Sequence, residues 1–142
     1  MIKAKKICDF DWIAPNFELH STEMKLYTRD ALLKENGLLV MFICNHCPYV
    51  LSALDRIIKV SRDLSNKGIG VVAISSNDVK TYPLDSFENM KKLAITNNFP
   101  FPYPVPYTNL TLPSTPSFVI FALPTTIKQQ HIIQYYFYTS TH

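Results

Sequence analysis

Cys44 and Cys47, separated by two residues, are the pair of side chains in this sequence best placed to do chemistry together. They follow an unbroken apolar run at 38–43, which predicts a strand buried on both faces. Pro48 follows them and opens an amphipathic helical pattern. At such a junction, backbone N–H groups and the positive end of the helix dipole favour a thiolate. Because the thiolate is the nucleophile in disulfide exchange, the pair predicts redox chemistry, with Cys44 the more exposed and more acidic thiol.

A zinc site is the alternative interpretation of two cysteines at this spacing. Structural zinc needs four ligands, usually from a second pair at similar spacing, and no second pair occurs here. We therefore expect neither a metal nor a cofactor, and a lone cysteine such as Cys8 is expected to be a small buried residue. The other cysteine and the histidines are scattered without ligand spacing: Cys8, His20, His46, His131 and His142.

Composition limits the class of protein. The 142 residues suit one domain, residues 1–142, with a single core. The net charge is only +3 and forms no basic stripe, so nucleic-acid binding is not expected. The longest apolar run is too short to span a membrane, and no apolar segment follows the charged first residues as in a secretory signal. We expect a cytoplasmic protein, in which a dithiol serves catalysis rather than structure; the oligomeric state is left open.

A second apolar strand at 69–75 follows the helical pattern that begins at Pro48. Strand, helix and strand in this order predict a right-handed unit with parallel strands. Ligands bind at the carboxyl ends of such strands, which is where Cys44 lies. Shorter patterns predict strands at 15–19 and 25–27 joined as a hairpin, a short helix at 29–34 capped by Thr28, and a helix that starts with capping-box spacing at 85–88.

Several sequence blocks resemble one family. They are A-P-x-F-x-L at 14–19, MFICNHCPYV at 41–50, GIGVVAISSND at 68–78, SFENMKK at 86–92 and NNFPFPY at 97–103. These blocks resemble thioredoxin-like proteins of the redoxin group, which is related to the alkyl hydroperoxide reductase and thiol-specific antioxidant family. The resemblance covers about residues 13–103. It implies an α/β, thioredoxin-like fold with a central mixed sheet flanked by helices.

The resemblance also implies an activity, thiol–disulfide exchange on protein or small-molecule disulfides or thiols. Cys44 would attack the substrate disulfide, and Cys47 would resolve the mixed disulfide. His46 resembles the histidine that stabilises the thiolate in disulfide isomerases. Because about 30 mV corresponds to one pKa unit of such stabilisation, replacing His46 by proline is expected to lower the reduction potential by tens of millivolts.

Two other functions are compatible with the sequence. A thiol peroxidase of the related peroxiredoxins uses P-x-x-x-T/S-x-x-C; aligned on Cys47, this motif would place Val40 at the proline and Cys44 at the hydroxyl residue. Both supporting positions are lost, so peroxidase or antioxidant activity is disfavoured. A non-catalytic thioredoxin-like binding module or truncated remnant is the third hypothesis, and the intact dithiol argues against it.

Residues 104–142 form an atypical tail. All 11 acidic residues lie at or before Glu88, and seven of the 10 prolines lie between 100 and 124. Proline excludes a regular helix there, so residues 104–114 are expected to be irregular. The family's final helix has no counterpart, and a lineage variant and a reading-frame artefact both remain open. Strands are expected at 118–121 and 132–138, and Thr115-Pro116 is expected to supply the proline that the resemblance places against the dithiol.

Overall fold

A computed structural model describes residues 16–75 and 77–105, and the backbone of 119–123 and 133–136. Cys8, Pro116, His131 and His142 lie outside the described residues, so the expectations that concern them stay predictions. The elements in chain order are β1 Glu18–Ser21, β2 Leu26–Thr28, α1 Arg29–Leu32, β3 Leu38–Phe42, α2 Pro48–Asn66, β4 Gly70–Ile74, a 3-10 helix Pro83–Asp85, α3 Phe87–Thr96, β5 Pro104–Val105, β6 Val119–Leu123 and β7 Ile133–Tyr136.

A four-stranded mixed sheet carries the dithiol, with strand order β4-β3-β6-β7. β3 and β4 pair in parallel, with Val40 opposite Val72, and α2 connects them. This confirms the predicted strand-helix-strand unit. β6 pairs antiparallel with β3, and β7 pairs antiparallel with β6. The two strands expected in the tail are therefore present, within a few residues of their predicted bounds.

β3 is buried on both faces, as its unbroken apolar sequence predicts. Leu39 and Met41 belong to a core cluster that includes residues of α2 and α3. Leu38 and Val40 belong to a second cluster on the other face, together with Leu19. Each fully buried side chain of this kind contributes roughly 1.5–3 kcal/mol to folding, so the strand that ends at the dithiol is firmly held.

α2 follows from its sequence pattern. Pro48 occupies the first helical turn, where its missing N–H has no intrahelical partner. Val50, Leu54 and Ile58 recur every four residues and are buried. Gly68 adopts a φ of 72° just beyond the helix, a left-handed conformation that glycine takes readily where a helix ends. Neither α2 nor any other helix in the described part of the chain is long and apolar enough to cross a membrane.

A second sheet, three-stranded and antiparallel, has the order β2-β1-β5. The predicted hairpin is present, but its first strand spans Glu18–Ser21 rather than 15–19. His20 lies in β1, where it is exposed. Thr28 caps α1 as predicted, because its hydroxyl oxygen accepts a 3.1 Å hydrogen bond from the Ala31 N–H.

The expectation that residues 104–114 are irregular is wrong at its first two positions, which form β5. Proline lacks an N–H but keeps its carbonyl, and a strand that supplies carbonyls to its neighbour tolerates it. The Pro102 carbonyl accepts a 3.1 Å hydrogen bond from the Ala73 N–H, and the Pro104 carbonyl accepts one of 3.1 Å from Ser75. The segment therefore joins the outer edge of β4 to the second sheet.

Gly70 begins β4 at a point where α1 approaches the backbone. A Cβ atom there would lie 1.9 Å from the Leu32 carbonyl oxygen. We expect Gly70→Ala to lower the free energy of unfolding by about 1–3 kcal/mol, because backbone must move to admit the methyl group. Urea denaturation followed by circular dichroism would measure this. Lys59→Ala, at an exposed position of α2, is the control, and equal midpoints for G70A and wild type would contradict the close approach.

Candidate dithiol active site

The two thiols lie where β3 gives way to α2. Cys44 comes two residues after the end of β3, and Cys47 is the N-cap residue of α2. Both are reduced and half-buried. Backbone N–H groups of His46 and Cys47 donate hydrogen bonds to the Cys44 sulfur and act to lower its pKa. The expected convergence of backbone donors on Cys44 is therefore present.

The net shift in the pKa of Cys44 is nevertheless opposite to the one expected from the sequence. Burial, followed by the negative charge of Asp85, raises the pKa of the Cys44 thiol from 9.0 to about 11. Burial disfavours a thiolate because it removes water from the charge, and a nearby carboxylate repels it. The prediction of an acidic Cys44 is thus wrong in this reduced form: the backbone donors are outweighed.

Asn45 fixes the loop between the thiols. Its backbone N–H donates a 2.7 Å hydrogen bond to Asp85 Oδ1, and its side-chain amide donates to the Leu84 carbonyl at 3.1 Å. The Tyr103 hydroxyl donates to Asn45 Oδ1 at 3.0 Å. Tyr103 is buried, and burial raises the pKa of its hydroxyl, so it stays a donor. Contacts from two distant segments therefore hold this loop in one conformation.

Asp85 lies beneath the loop, and its side chain is fully buried. Oδ1 accepts the Asn45 N–H, and Oδ2 accepts a 2.7 Å hydrogen bond from the side-chain amide of Asn77. His46 Nδ1 lies 2.9 Å from the same Oδ2, an ion-pair contact when the imidazole is protonated. A buried carboxylate is tolerated only with such partners, so Asp85, Asn45 and His46 act as one polar cluster behind Cys44.

The His46 ring is held from two sides. It stacks on Tyr82, with ring centroids 5.3 Å apart and planes 18° from parallel. Nδ1 faces Asp85 but is not aligned for a hydrogen bond, so this buried atom lacks a hydrogen-bond partner among the described residues. With 31% of its side chain exposed, His46 is half-buried and not a fully solvated surface residue.

Asp85 is the residue of this site that sequence reasoning missed. The stretch at 85–88 predicted a helix start, and α3 does start there, but its N-cap is Ser86, whose hydroxyl accepts from the Asn89 N–H. Asp85 is therefore free to turn beneath the dithiol. The available signal was its position in the loop that follows β4, since the carboxyl ends of parallel strands share one sheet edge.

Pro116 is the predicted site residue that the described chain does not reach. β6 begins at Val119, which pairs with Phe42 at the end of β3, two residues before Cys44 in the sequence. The strand that follows Thr115-Pro116 in the sequence therefore starts at the dithiol end of the sheet. The contact between Pro116 and the dithiol stays a prediction.

A mixed sheet flanked by helices, with a dithiol between a strand and a helix, defines a thioredoxin-like protein. Residues 12–108 match the AhpC/TSA family, and the chain belongs to this family. The resemblance inferred from the sequence blocks is thereby confirmed. A comparison with curated proteins gives no match.

Solved structures confirm the fold. An uncharacterized conserved protein from Geobacillus kaustophilus is 28% identical with a TM-score of 0.75, over 90% of this chain and 68% of that one. A hypothetical protein from Sinorhizobium meliloti is 23% identical with a TM-score of 0.78, over 91% and 70%. A thiol:disulfide interchange protein of the thioredoxin family from Chlorobium tepidum is 18% identical with a TM-score of 0.64, over 84% and 83%. The predicted thioredoxin-like fold is confirmed.

Proposed function

We propose that this protein is a thiol–disulfide oxidoreductase that reduces disulfides through Cys44 and Cys47. One observation carries the proposal: both thiols lie at the junction of β3 and α2, where two backbone N–H groups donate to the Cys44 sulfur. These donors stabilise negative charge on Cys44 as it forms and disappears during exchange. Family membership and the fold support the same chemistry.

The reaction needs two exchange steps. Cys44 loses its proton, attacks one sulfur of the substrate disulfide and forms a mixed disulfide, while the other substrate sulfur leaves as a thiolate. Cys47 then loses its proton and attacks the Cys44 sulfur, which releases the second substrate thiolate. The products are a substrate dithiol and a Cys44–Cys47 disulfide, so two electrons pass from protein to substrate.

The environment of Cys44 supports the reducing direction. To oxidise a substrate, the protein must release Cys44 as a thiolate from the mixed disulfide, and a thiol with a pKa of about 11 is a poor leaving group. To reduce a substrate, the protein releases the substrate's own thiolate instead. Burial and the charge of Asp85 thus disfavour the oxidase reaction.

An insulin-reduction assay with dithiothreitol as the recycling reductant tests the proposal. We expect wild type to accelerate precipitation of the insulin B chain and Cys44→Ser to give only the rate of dithiothreitol alone. Asp63→Asn, at an exposed position of α2, is the control and should match wild type. Equal rates for wild type and C44S would favour a non-catalytic module or remnant instead, and thermal melting of both proteins would show whether the chain folds.

His46 is proposed to support the site by facing Asp85, and the structure revises its expected effect on the potential. A thiol whose pKa is about 11 stays protonated at neutral pH, so stabilising its thiolate adds little to the reduced state. We therefore expect His46→Pro to shift the potential at pH 7 by less than about 30 mV, the equivalent of one pKa unit. Equilibration with glutathione would measure this shift.

His46→Ala is the matched variant for that measurement, because it removes the ring but keeps the backbone N–H that donates to Cys44. His20→Ala, on the exposed side of β1, is the distant control. A drop of many tens of millivolts in H46P would restore the original sequence-based expectation. It would also contradict a protonated Cys44 at neutral pH.

Substrates and compartment belong to the same proposal. We propose protein or small-molecule disulfides as substrates and the cytoplasm as the location, where thiols are kept reduced. Peroxidase activity remains disfavoured: Val40, at the position of the peroxidase proline, is buried inside β3. Peroxide consumption no faster than that of C47S, which lacks the cysteine at the peroxidatic position, would agree with this, and subcellular fractionation would test the location.

A further inference from the structure

Three side chains at the dithiol, one of them Cys44 itself, bring together different metal-ligand atoms. One ligand atom each from Cys44, His46 and Asp85 lies within 4.8 Å of the others. Zinc holds sulfur at about 2.3 Å and nitrogen or oxygen at about 2.0 Å, so tetrahedral ligand atoms are roughly 3.3–3.7 Å apart. Small rotations of side chains therefore suffice for the three atoms to share one ion.

We propose that the reduced protein binds one zinc ion through Cys44 Sγ, His46 Nδ1 and a carboxylate oxygen of Asp85. This activity is separate from disulfide exchange and does not depend on it. The fourth tetrahedral position would be open to a water molecule or another exogenous ligand.

The environment of His46 Nδ1 is a second, independent observation that supports a bound cation. It is buried and lacks a hydrogen-bond partner among the described residues, although Asp85 Oδ2 is only 2.9 Å away. Buried polar atoms are nearly always satisfied, and an exception calls for an explanation such as an ion. A cation at this point would give Nδ1 a bond and would lie beside the carboxylate that Nδ1 already faces.

Neighbouring residues orient two of the three ligands, Asp85 and His46, as outer contacts of metal sites do. Asn77 donates a 2.7 Å hydrogen bond to Asp85 Oδ2. Asn45 donates its backbone N–H to Oδ1, so the carboxylate has a fixed plane. Tyr82 stacks on His46 and fixes the plane of its ring. Such contacts are typical of ligands that are held ready for a metal.

Charge and donor chemistry favour zinc. Asp85 repels a thiolate on Cys44, and a divalent cation between them would turn two like charges into ligands of the same ion. The mixed sulfur, nitrogen and oxygen donors suit a borderline-soft ion with tetrahedral preference. The spacing of cysteines and histidines alone did not reveal this set, because Asp85 is contributed from beyond β4.

Cobalt substitution tests the proposal on the full chain, reduced and freed of metal. We expect Co²⁺ to bind at one equivalent, with visible bands of tetrahedral geometry and a thiolate-to-cobalt band, and Zn²⁺ to displace it. His46→Ala and Asp85→Asn should each weaken zinc binding at least tenfold in competition with a chelator. Cys44→Ser should abolish the thiolate band.

Matched controls distinguish zinc bound by Cys44, His46 and Asp85 from zinc bound by the two cysteines alone. His20→Ala should bind zinc like wild type, and Cys47→Ser, which cannot complete disulfide exchange, should still bind it. Loss of binding in C47S with wild-type affinity in H46A and D85N would overturn the proposal, as would absence of binding by wild type. Asp85 is buried, so circular dichroism checks the fold of D85N, and the half-exposed His46 keeps the test valid if D85N does not fold.

Discussion

Cys47→Ser is expected to accumulate a stable mixed disulfide between Cys44 and its substrate. In the proposed reaction Cys47 performs only the second step, the attack that releases the substrate. A serine hydroxyl is not deprotonated at neutral pH and cannot displace a thiolate, so the first intermediate should persist. The covalent product should form in a large fraction of the protein, whereas wild type should hold almost none.

Mass spectrometry of the C47S variant after incubation with disulfide-bonded insulin or oxidised glutathione would detect the adduct and identify its cysteine. Dithiothreitol should remove it. The double variant Cys44→Ser/Cys47→Ser is the control and should form no adduct at all; an adduct on it would identify Cys8 as the reactive thiol. An adduct on C44S but none on C47S would reverse the roles assigned to the two thiols.

The scaffold of the site could be predicted from sequence because its signals are local. The apolar run at 38–43 has no polar position that could face water, so it has to be a strand covered on both sides. Pro48 and the spacing of Val50, Leu54 and Ile58 determine where α2 begins and which face is buried. The dithiol then lies between them by connectivity alone.

The environment of Cys44 could not be predicted in the same way. The helix N-terminus beside it is visible in sequence, but burial and the charge of Asp85 arise only after residues forty positions away have packed against it. At 85–88, two polar residues compete for one N-cap, and the pattern does not show that Ser86 occupies it. Local rules identified the helix and missed the residue that most affects the charge at the site.

β5 is a second feature that the local sequence pattern did not predict. Proline-rich sequence excludes helix, and from this the segment was expected to be irregular. A proline carbonyl still pairs with a neighbouring edge, as the Pro104 carbonyl does with the Ser75 N–H. Whether a strand edge is available for such pairing depends on tertiary structure, not on the proline-rich segment itself.

Asp85→Asn is expected to lower the pKa of the Cys44 thiol. Burial is the larger cause of the raised pKa, about 11, and would remain, but the repulsion by the carboxylate would disappear. The asparagine oxygen can still accept the Asn45 N–H, so the loop should keep its conformation. A fall of roughly one unit would give about ten times more thiolate at pH 7.

The rate of iodoacetamide alkylation against pH, with Cys47 replaced by serine and a metal chelator present, measures this pKa directly. In the C47S protein that keeps Asp85, a Cys44 pKa of about 11 means that the alkylation rate keeps rising well above pH 9. When D85N is added, the rate should level off at lower pH. Asp63→Asn is the matched control, since it removes the same charge from an exposed position of α2. An unchanged profile in D85N would assign the raised pKa to burial alone. A parent profile that levels off near pH 8.5 would instead show that the backbone donors of His46 and Cys47 outweigh both burial and Asp85.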